Sequence, residues 1–312
     1  MKFDIANIAD VFADVVIKGR EKPSFGQVET LADDYELELG GSGPIFSSQF
    51  TKLGGKVAML TIVGDDSMGD FIIKRMEEIG IDTRFTQISK LNKTPLGLNI
   101  SVQEDRSMMT VLGTLEEISS ALVDESLLDS VRHWHIAGYF LLPALIPFWP
   151  DFLVRLKTLG ISVSLDTNWA PEGNWEQVMQ ILPLVDVFLP NEEEALAITG
   201  ASAYGQAGAI LSKKIPLVVI KRGASGASVF KGEREIRVTN QDVWKGRIMV
   251  KDTTGAGDSF DGGFLYEWLQ GSDLEKCLDT ALTCGISNVQ GIGGIQSQYR
   301  GKPTAIQIVK KQ

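Results

Sequence analysis

Short β-branched or apolar runs alternate with amphipathic stretches along most of the chain, and this alternation limits the possible folds more than any other feature. Strands buried on both faces read as continuous apolar runs, and parallel neighbours need a crossover segment, usually a helix, between them. Strands are expected at Lys56–Val63, His133–Ala137, Ile161–Asp166, Asp186–Leu189 and Leu217–Lys221. Helices are expected at Met68–Ile79, Trp175–Leu182, Glu192–Thr199 and Gly257–Gln270. The fold class is therefore α/β, a central mostly parallel sheet flanked by helices. A chain of 312 residues can make two domains or one large one. No repeat, low-complexity tract or composition break marks a linker, so one domain over residues 1–312 is expected.

Two stretches break the rhythm. Val15–Leu39 and Thr94–Leu112 are strand-like without a following helix, and the second reads as a hairpin turning near Glu104 and Asp105. Inserted between βα units, they would form a small sheet standing off the main one, either a lid or a pair of static edge hairpins.

Composition narrows the partners. With 44% hydrophobic and 22% charged residues the chain is an ordinary globular one, and a net charge of −10 disfavours nucleic acid or an anionic membrane surface. Cys277 and Cys284 fall on a helical-looking stretch about 10.5 Å apart, too far for an unstrained disulfide. With only two histidines beside them they do not suggest a zinc cluster, so both read as core residues in a reducing cytoplasm. The N-terminal residues lack the basic and apolar regions of a secretory signal, and the apolar run Ile136–Pro150 is too short to span a bilayer.

Chemistry concentrates in Lys251–Phe264, KDTTGAGDSFDGGF, where a glycine-rich turn leads directly into an amphipathic helix. The N–H groups of Gly255, Ala256 and Gly257 can converge on an anion, and the helix start adds donors and positive potential. Asp258 in the first turn puts a carboxylate beside that anion, which makes sense if it takes a proton or positions a hydroxyl; a dipole-complementing acid is the bland alternative. Asp252, Thr253 and Thr254 flank the loop and strengthen the functional reading. A Walker A loop is excluded, because Gly54-Gly55-Lys56-Val57 lacks both spacing and hydroxyl. A dinucleotide fingerprint is excluded because Gly41-Ser42-Gly43 is followed by Pro44-Ile45-Phe46, without the third glycine.

The sequence resembles the PfkB or ribokinase family of carbohydrate kinases. DTTGAGDSF at Asp252–Phe260 matches the family's C-terminal signature closely; Gly40 to Gly54 and Val63 to Gly69 match the N-terminal signature more loosely. Asp166-Thr167-Asn168, Asn191 to Glu194, and Gly223-Ala224-Ser225-Gly226 stand between them in the family's order. The resemblance implies a ribokinase-like fold with a small β lid, an ATP-dependent kinase acting on a sugar or polyol hydroxyl, Mg²⁺, and a potassium-like ion. It makes Asp258 the catalytic base and Gly255, Ala256 and Gly257 the anion hole. Asp14, Gly40, Gly41, Ser42, Asn99 and Arg106 would bind the acceptor. Asn168, Asn191, Glu194, Lys221, Gly223, Gly226, Thr253 and Asn288 would serve ATP, with Glu194 on Mg²⁺ through water and Asp252 on the monovalent ion. Ile45 stands where many relatives have a sugar-binding Asn, which argues against ribose itself.

The other readings are plainer. Glu192 and Glu193 read as first-turn acids favoured by the helix dipole. His133 and His135 share one strand face and read as packing residues; Trp134, Trp149, Trp169 and Trp175 read as core and loop anchors. The expected partner is a small sugar or polyol, with no nucleic acid or membrane, and a homodimer formed through the lid. The alternatives are a nucleoside, sugar-acid or vitamin-precursor kinase of the same fold, or a catalytically silent sensor of sugar or nucleotide.

Overall fold

The computed structural model describes residues 2–102, 105–170 and 173–301. Its strands are β1 (Ile5–Ile8), β2 (Phe12–Gly19), β3 (Ala32–Gly40), β4 (Val57–Gly64), β5 (Thr86–Ser89), β6 (Leu96–Val102), β7 (Asp105–Val111), β8 (His133–Ile136), β9 (Ser162–Leu165), β10 (Val187–Phe188), β11 (Leu217–Lys221), β12 (Ala227–Lys231) and β13 (Arg234–Val238). The helices are α1 (Ser42–Lys52), α2 (Ser67–Ile79), α3 (Glu125–Leu128), α4 (Trp149–Thr158), α5 (Glu176–Ile181), α6 (Glu192–Thr199), α7 (Tyr204–Leu211), α8 (Asn240–Val243), α9 (Ala256–Leu269) and α10 (Leu274–Asn288).

The main sheet has nine strands in the order β13-β12-β11-β10-β9-β8-β1-β4-β5. It is parallel from β11 through β5, and the β11–β12–β13 edge is antiparallel. Every residue of β4 is buried, as expected of a strand covered on both faces. One face packs on α1, α2, α9 and α10 through Phe46, Phe50, Ile72, Phe264 and Leu278. The other packs on α4 to α7 through Trp149, Phe152, Val178, Ile198 and Leu211. Cys277 and Cys284 are free and buried on α10. Among the described residues no helix is long and apolar enough to cross a membrane.

A second sheet of four strands, ordered β3-β2-β6-β7, takes in both irregular stretches. Its β2–β3 and β6–β7 hairpins are antiparallel, and β2 pairs parallel with β6, Ala13 opposite Leu96. It starts at Phe12 rather than Val15, because Ala13 and Leu39 are buried in the main core and tie the sheet's base to it. The expected turn at Glu104 and Asp105 falls in part outside the described residues, since Gln103 and Glu104 are not among them. The register splits the sheet into two faces: Asp14, Glu38, Gly97, Val16, Glu36 and Asn99 share one, and Val15, Leu37, Leu98, Met109, Ile17, Tyr35 and Ile100 share the other.

His133 and His135 are buried and form a ladder with the serines of β9. His133 shares hydrogen bonds with Ser162 Oγ and Ser164 Oγ at 2.7 Å each, and His135 Nδ1 with Ser164 Oγ at 2.8 Å. Burial pushes His135 down to about 3, so it stays neutral. Trp134 and Trp149 are core residues, while Trp169, 53% exposed, meets the buried Trp175 ring edge-on at 5.5 Å as a loop anchor. The preceding Asn168 has φ 57, in the left-handed region, at the turn that follows β9.

Candidate active site

The end of β1 and the start of α1 are joined by a carboxylate. Asp10, fully buried, accepts hydrogen bonds from Ser42 N and Gly43 N, each at 3.1 Å. The N-cap residue Gly41 has no side chain to offer, so Asp10 caps this helix from another segment. The approach is close: at Gly41, φ 103, a Cβ would lie 1.7 Å from the Asp10 carbonyl oxygen. Burial raises the Asp10 carboxyl to about 6, against the opposing pull of those two N–H groups. Sequence reasoning missed Asp10; its signal was a carboxylate closing the short strand-like run Ile5-Ala6-Asn7-Ile8-Ala9 just before a lid strand.

Asp14, on β2, lies against two glycines. A Cβ on Gly40 would meet Asp14 Oδ2 at 1.9 Å, and one on Gly97 would meet Asp14 Oδ1 at 2.1 Å. Asn99 is next along that face, its Nδ2 3.7 Å from the same Gly97 position. Burial lifts Asp14 to about 6 as well. Asp14, Gly40 and Asn99 are therefore gathered as expected. The backbone of Arg106 pairs with Ser101 in β7, but its side chain lies outside what the structure describes.

At α9, Gly255 adopts φ 71 as the cap residue, and the first helical bond runs from Ser259 N to Gly255 O at 2.9 Å. The N–H groups of residues 256–258 precede that bond. Ala256 N is turned back onto Thr253 O at 3.3 Å, which corrects its expected place in the anion hole; its N–H closes the turn. Ile45 packs behind the loop: a Cβ on Gly255 would lie 2.8 Å from Ile45 Cγ2, and one on Gly294 2.3 Å from Ile45 Cδ1. Ile45 is thus a buried residue that braces the anion loop at the start of α9.

Asp258 is half-buried, and its carboxyl is held well above the usual range by burial and by the nearby Asp166 and Asp10. Lys221 and the Ser42 side chain pull the other way. Ser42 Oγ in turn accepts from Asn168 Nδ2 at 3.0 Å. Asn168, expected at the nucleotide, thus stands beside Ser42 and Asp258, and its Oδ1 is buried without a partner.

Beneath the first turn of α9 lies a buried ion cluster. Lys221 Nζ is 2.9 Å from Asp166 Oδ2 and 3.0 Å from Asp261 Oδ2. Asp166 is held low by Lys221 despite burial, while burial holds Asp261 high. Asn191 and Glu194 form a capping box on α6: Glu194 N donates to Asn191 Oδ1 at 2.8 Å, and Asn191 N to Glu194 Oε2 at 2.9 Å. Glu194 is buried and raised to about 7.

The remaining expected residues divide. Asp252 accepts from Thr254 N at 2.9 Å and Gly293 N at 3.0 Å, linking the anion loop to the segment after α10. Thr253 and Gly223 are exposed at the rim. Gly226 is demanded by packing, since a Cβ there would meet Val238 O at 2.2 Å. Asn288 is a correction: it is fully buried and its amide holds Gly294 O at 2.6 Å, so it cannot reach a nucleotide.

A doubly covered α/β sheet with a helix-start anion loop, an adjacent carboxylate and a flanking small sheet defines a phosphoryl-transfer enzyme. The pfkB family carbohydrate kinase model matches residues 2–299, and the chain belongs to that family. It is similar to a deoxyribokinase of Salmonella typhimurium, 29% identical over 95% of both chains, and to a ribokinase of Haemophilus influenzae, 28% identical over 89% of this chain and 87% of the relative. Arabidopsis thaliana ribokinase, solved with ribose and ATP, shares the fold at TM-score 0.80 and 22% identity over 96% of both chains. An Escherichia coli relative solved with ATP and Mg²⁺ does so at TM-score 0.84 and 24% identity, again over 96% of both chains.

Proposed function

We propose that the protein transfers the γ-phosphoryl group of ATP to a primary hydroxyl of a monosaccharide or polyol. The observation that carries this reading is Asp258 at the start of α9, beside the turn of Gly255 and Gly257 and in hydrogen-bond reach of Ser42. Asp258 accepts the acceptor's hydroxyl proton as that oxygen bonds to phosphorus and ADP leaves. The N–H groups of Gly255 and Gly257 face the charge that develops on the transferring group. The acceptor-side groups, Asp14, Asn99, Ser42 and Asn168, are carboxylate, amides and hydroxyl, suited to a ring of hydroxyl groups. The names of the deoxyribokinase and ribokinase relatives support a sugar.

The four-stranded sheet serves as a lid that excludes water from the reacting phosphate. Its apolar face, with Tyr35 73% and Met109 66% exposed, supports a homodimer formed through it. Glu194 fits a magnesium role. One of its oxygens is taken by the capping box, and no cluster of three or more metal-binding side chains occurs among the described residues. That suits an ion held mainly by phosphates and water. When bound, Mg²⁺ would neutralise phosphate charge. Asp252 serves the monovalent ion, and the use of ATP supports a cytoplasmic location.

An ATP-consumption screen over sugars, polyols, sugar acids and nucleosides, followed by location of the phosphate in the product, tests the reading. Turnover confined to sugars or polyols and abolished by EDTA is expected. Ligand binding with no turnover on any compound would make the protein a sensor instead.

A further inference from the structure

We propose that Lys221 is a positioning residue for phosphoryl transfer, a buried ammonium that locks the N-terminal part of α9 to the ends of β9 and β11 and offsets the negative charge gathered around Asp258. The proposal rests on the kinase reading above. Lys221 ends β11, and its side chain, 12% exposed, reaches under α9 to Asp166 at the end of β9 and Asp261 on α9 itself. Asp261 follows Asp258 by one helical turn, so a clamp on Asp261 fixes the direction of Asp258. The ammonium also lies against the anion loop: a Cβ on Gly257 would be 3.5 Å from Lys221 Nζ.

The charges facing Asp258 come from every side. Asp10 approaches from the end of β1, Asp166 from β9, Asp261 from its own helix, and Glu194 on α6 faces Lys221. Against these carboxylates Lys221 supplies the positive charge. A buried ion cluster is a poor device for stability alone, since well-packed apolar groups of similar size often do as well. Its place directly beneath the anion loop and base gives it a catalytic purpose.

The test is kcat and kcat/KM against pH for the wild type, Lys221→Met, Lys221→Arg and the charge-balanced Lys221→Met/Asp166→Asn, on the acceptor found by the screen, with melting temperatures on the same preparations. In Lys221→Met, kcat should fall at least about tenfold with KM for ATP held, and the acid limb should move up by about 1 to 3 pH units. Lys221→Arg should restore the limb and much of kcat, and the charge-balanced pair should bring the limb back toward wild type. A folded Lys221→Met with an unmoved limb, or a defect confined to KM for ATP, overturns the proposal. If Lys221→Met does not fold, a Lys221→Arg or charge-balanced variant whose limb departs from the wild type's overturns it equally. A wild type without turnover overturns the kinase reading and this inference together.

Discussion

Replacing Asp10 by Asn should remove a pH dependence of stability whose sign is opposite to that of an ordinary salt-bridged aspartate. The folded protein holds the Asp10 carboxyl at about 6, against 3.8 in the unfolded chain, because burial outweighs the hydrogen bonds from Ser42 N and Gly43 N. Between those values the native state binds more protons than the unfolded one, so this group's contribution falls as pH rises. The shift of about 2 units corresponds to about 3 kcal/mol, fully developed above pH ~7 and absent below pH ~3. Asn exchanges no proton, and whatever the substitution costs in packing is the same at every pH. The stability of Asp10→Asn relative to wild type should therefore rise by about 1.4 kcal/mol between pH 5 and pH 8. Urea unfolding of both proteins at the two pH values measures it. Parallel stability curves would refute the reasoning, and would mean that the backbone N–H pair keeps Asp10 ionised at no cost.

Asp258→Asn keeps the shape and removes the proton acceptor, so kcat should fall by ~10² to 10⁴ while the dissociation constant for ATP holds or improves; near-normal kcat in a variant that melts early would make Asp258 a cap. Asp14→Asn should weaken acceptor binding by ~1 to 3 kcal/mol, seen as a raised acceptor KM with unchanged ATP affinity. Because burial holds Asp14 at about 6, acceptor KM should also rise as pH falls through 6, and a flat profile would refute its ionised role. Gly41→Ala places a methyl group 1.7 Å from the Asp10 carbonyl and should cost more than ~3 kcal/mol, whereas Gly160→Ala, at φ 73 with nothing within 4 Å, should cost ~1 to 2 kcal/mol; thermal melts of the two separate close contact from backbone strain.

What could be seen in the sequence was what local pattern encodes. The apolar runs of β4 and β11 and the glycine turn into α9 were legible because each is dictated by its own few residues. Helix α1 was not: Gly43 and Pro44 open it, and Ser42 to Phe50 are buried on every side, so it carries no amphipathic stripe. β1 has four residues and derives its identity from pairing with β4 and β8. At the site, Asp258 and Asp14 were found through motif and strand position. Asp10, Asp261 and the inward turn of Lys221 were hidden because their partners lie far along the chain, Ser42 for the first and Asp166 for the others. Asn288 shows the converse: a position in a signature does not tell which way its side chain faces once the chain after α10 folds back onto it.

The hairpin of β2 and β3 leaves the main body two residues after Asp10 and rejoins it at Gly40, two residues before Ser42. Both ends of this projecting arm are therefore leashed to the same carboxylate brace, through Val11 on one side and the left-handed Gly41 on the other. Any swing of the arm must be absorbed at those two pivots or passed to Ser42, and from Ser42 to Asp258. An acceptor that draws the arm inward through Asp14 would pull on the tether that sets the base, so arrival of the correct molecule and readiness to react become one mechanical event.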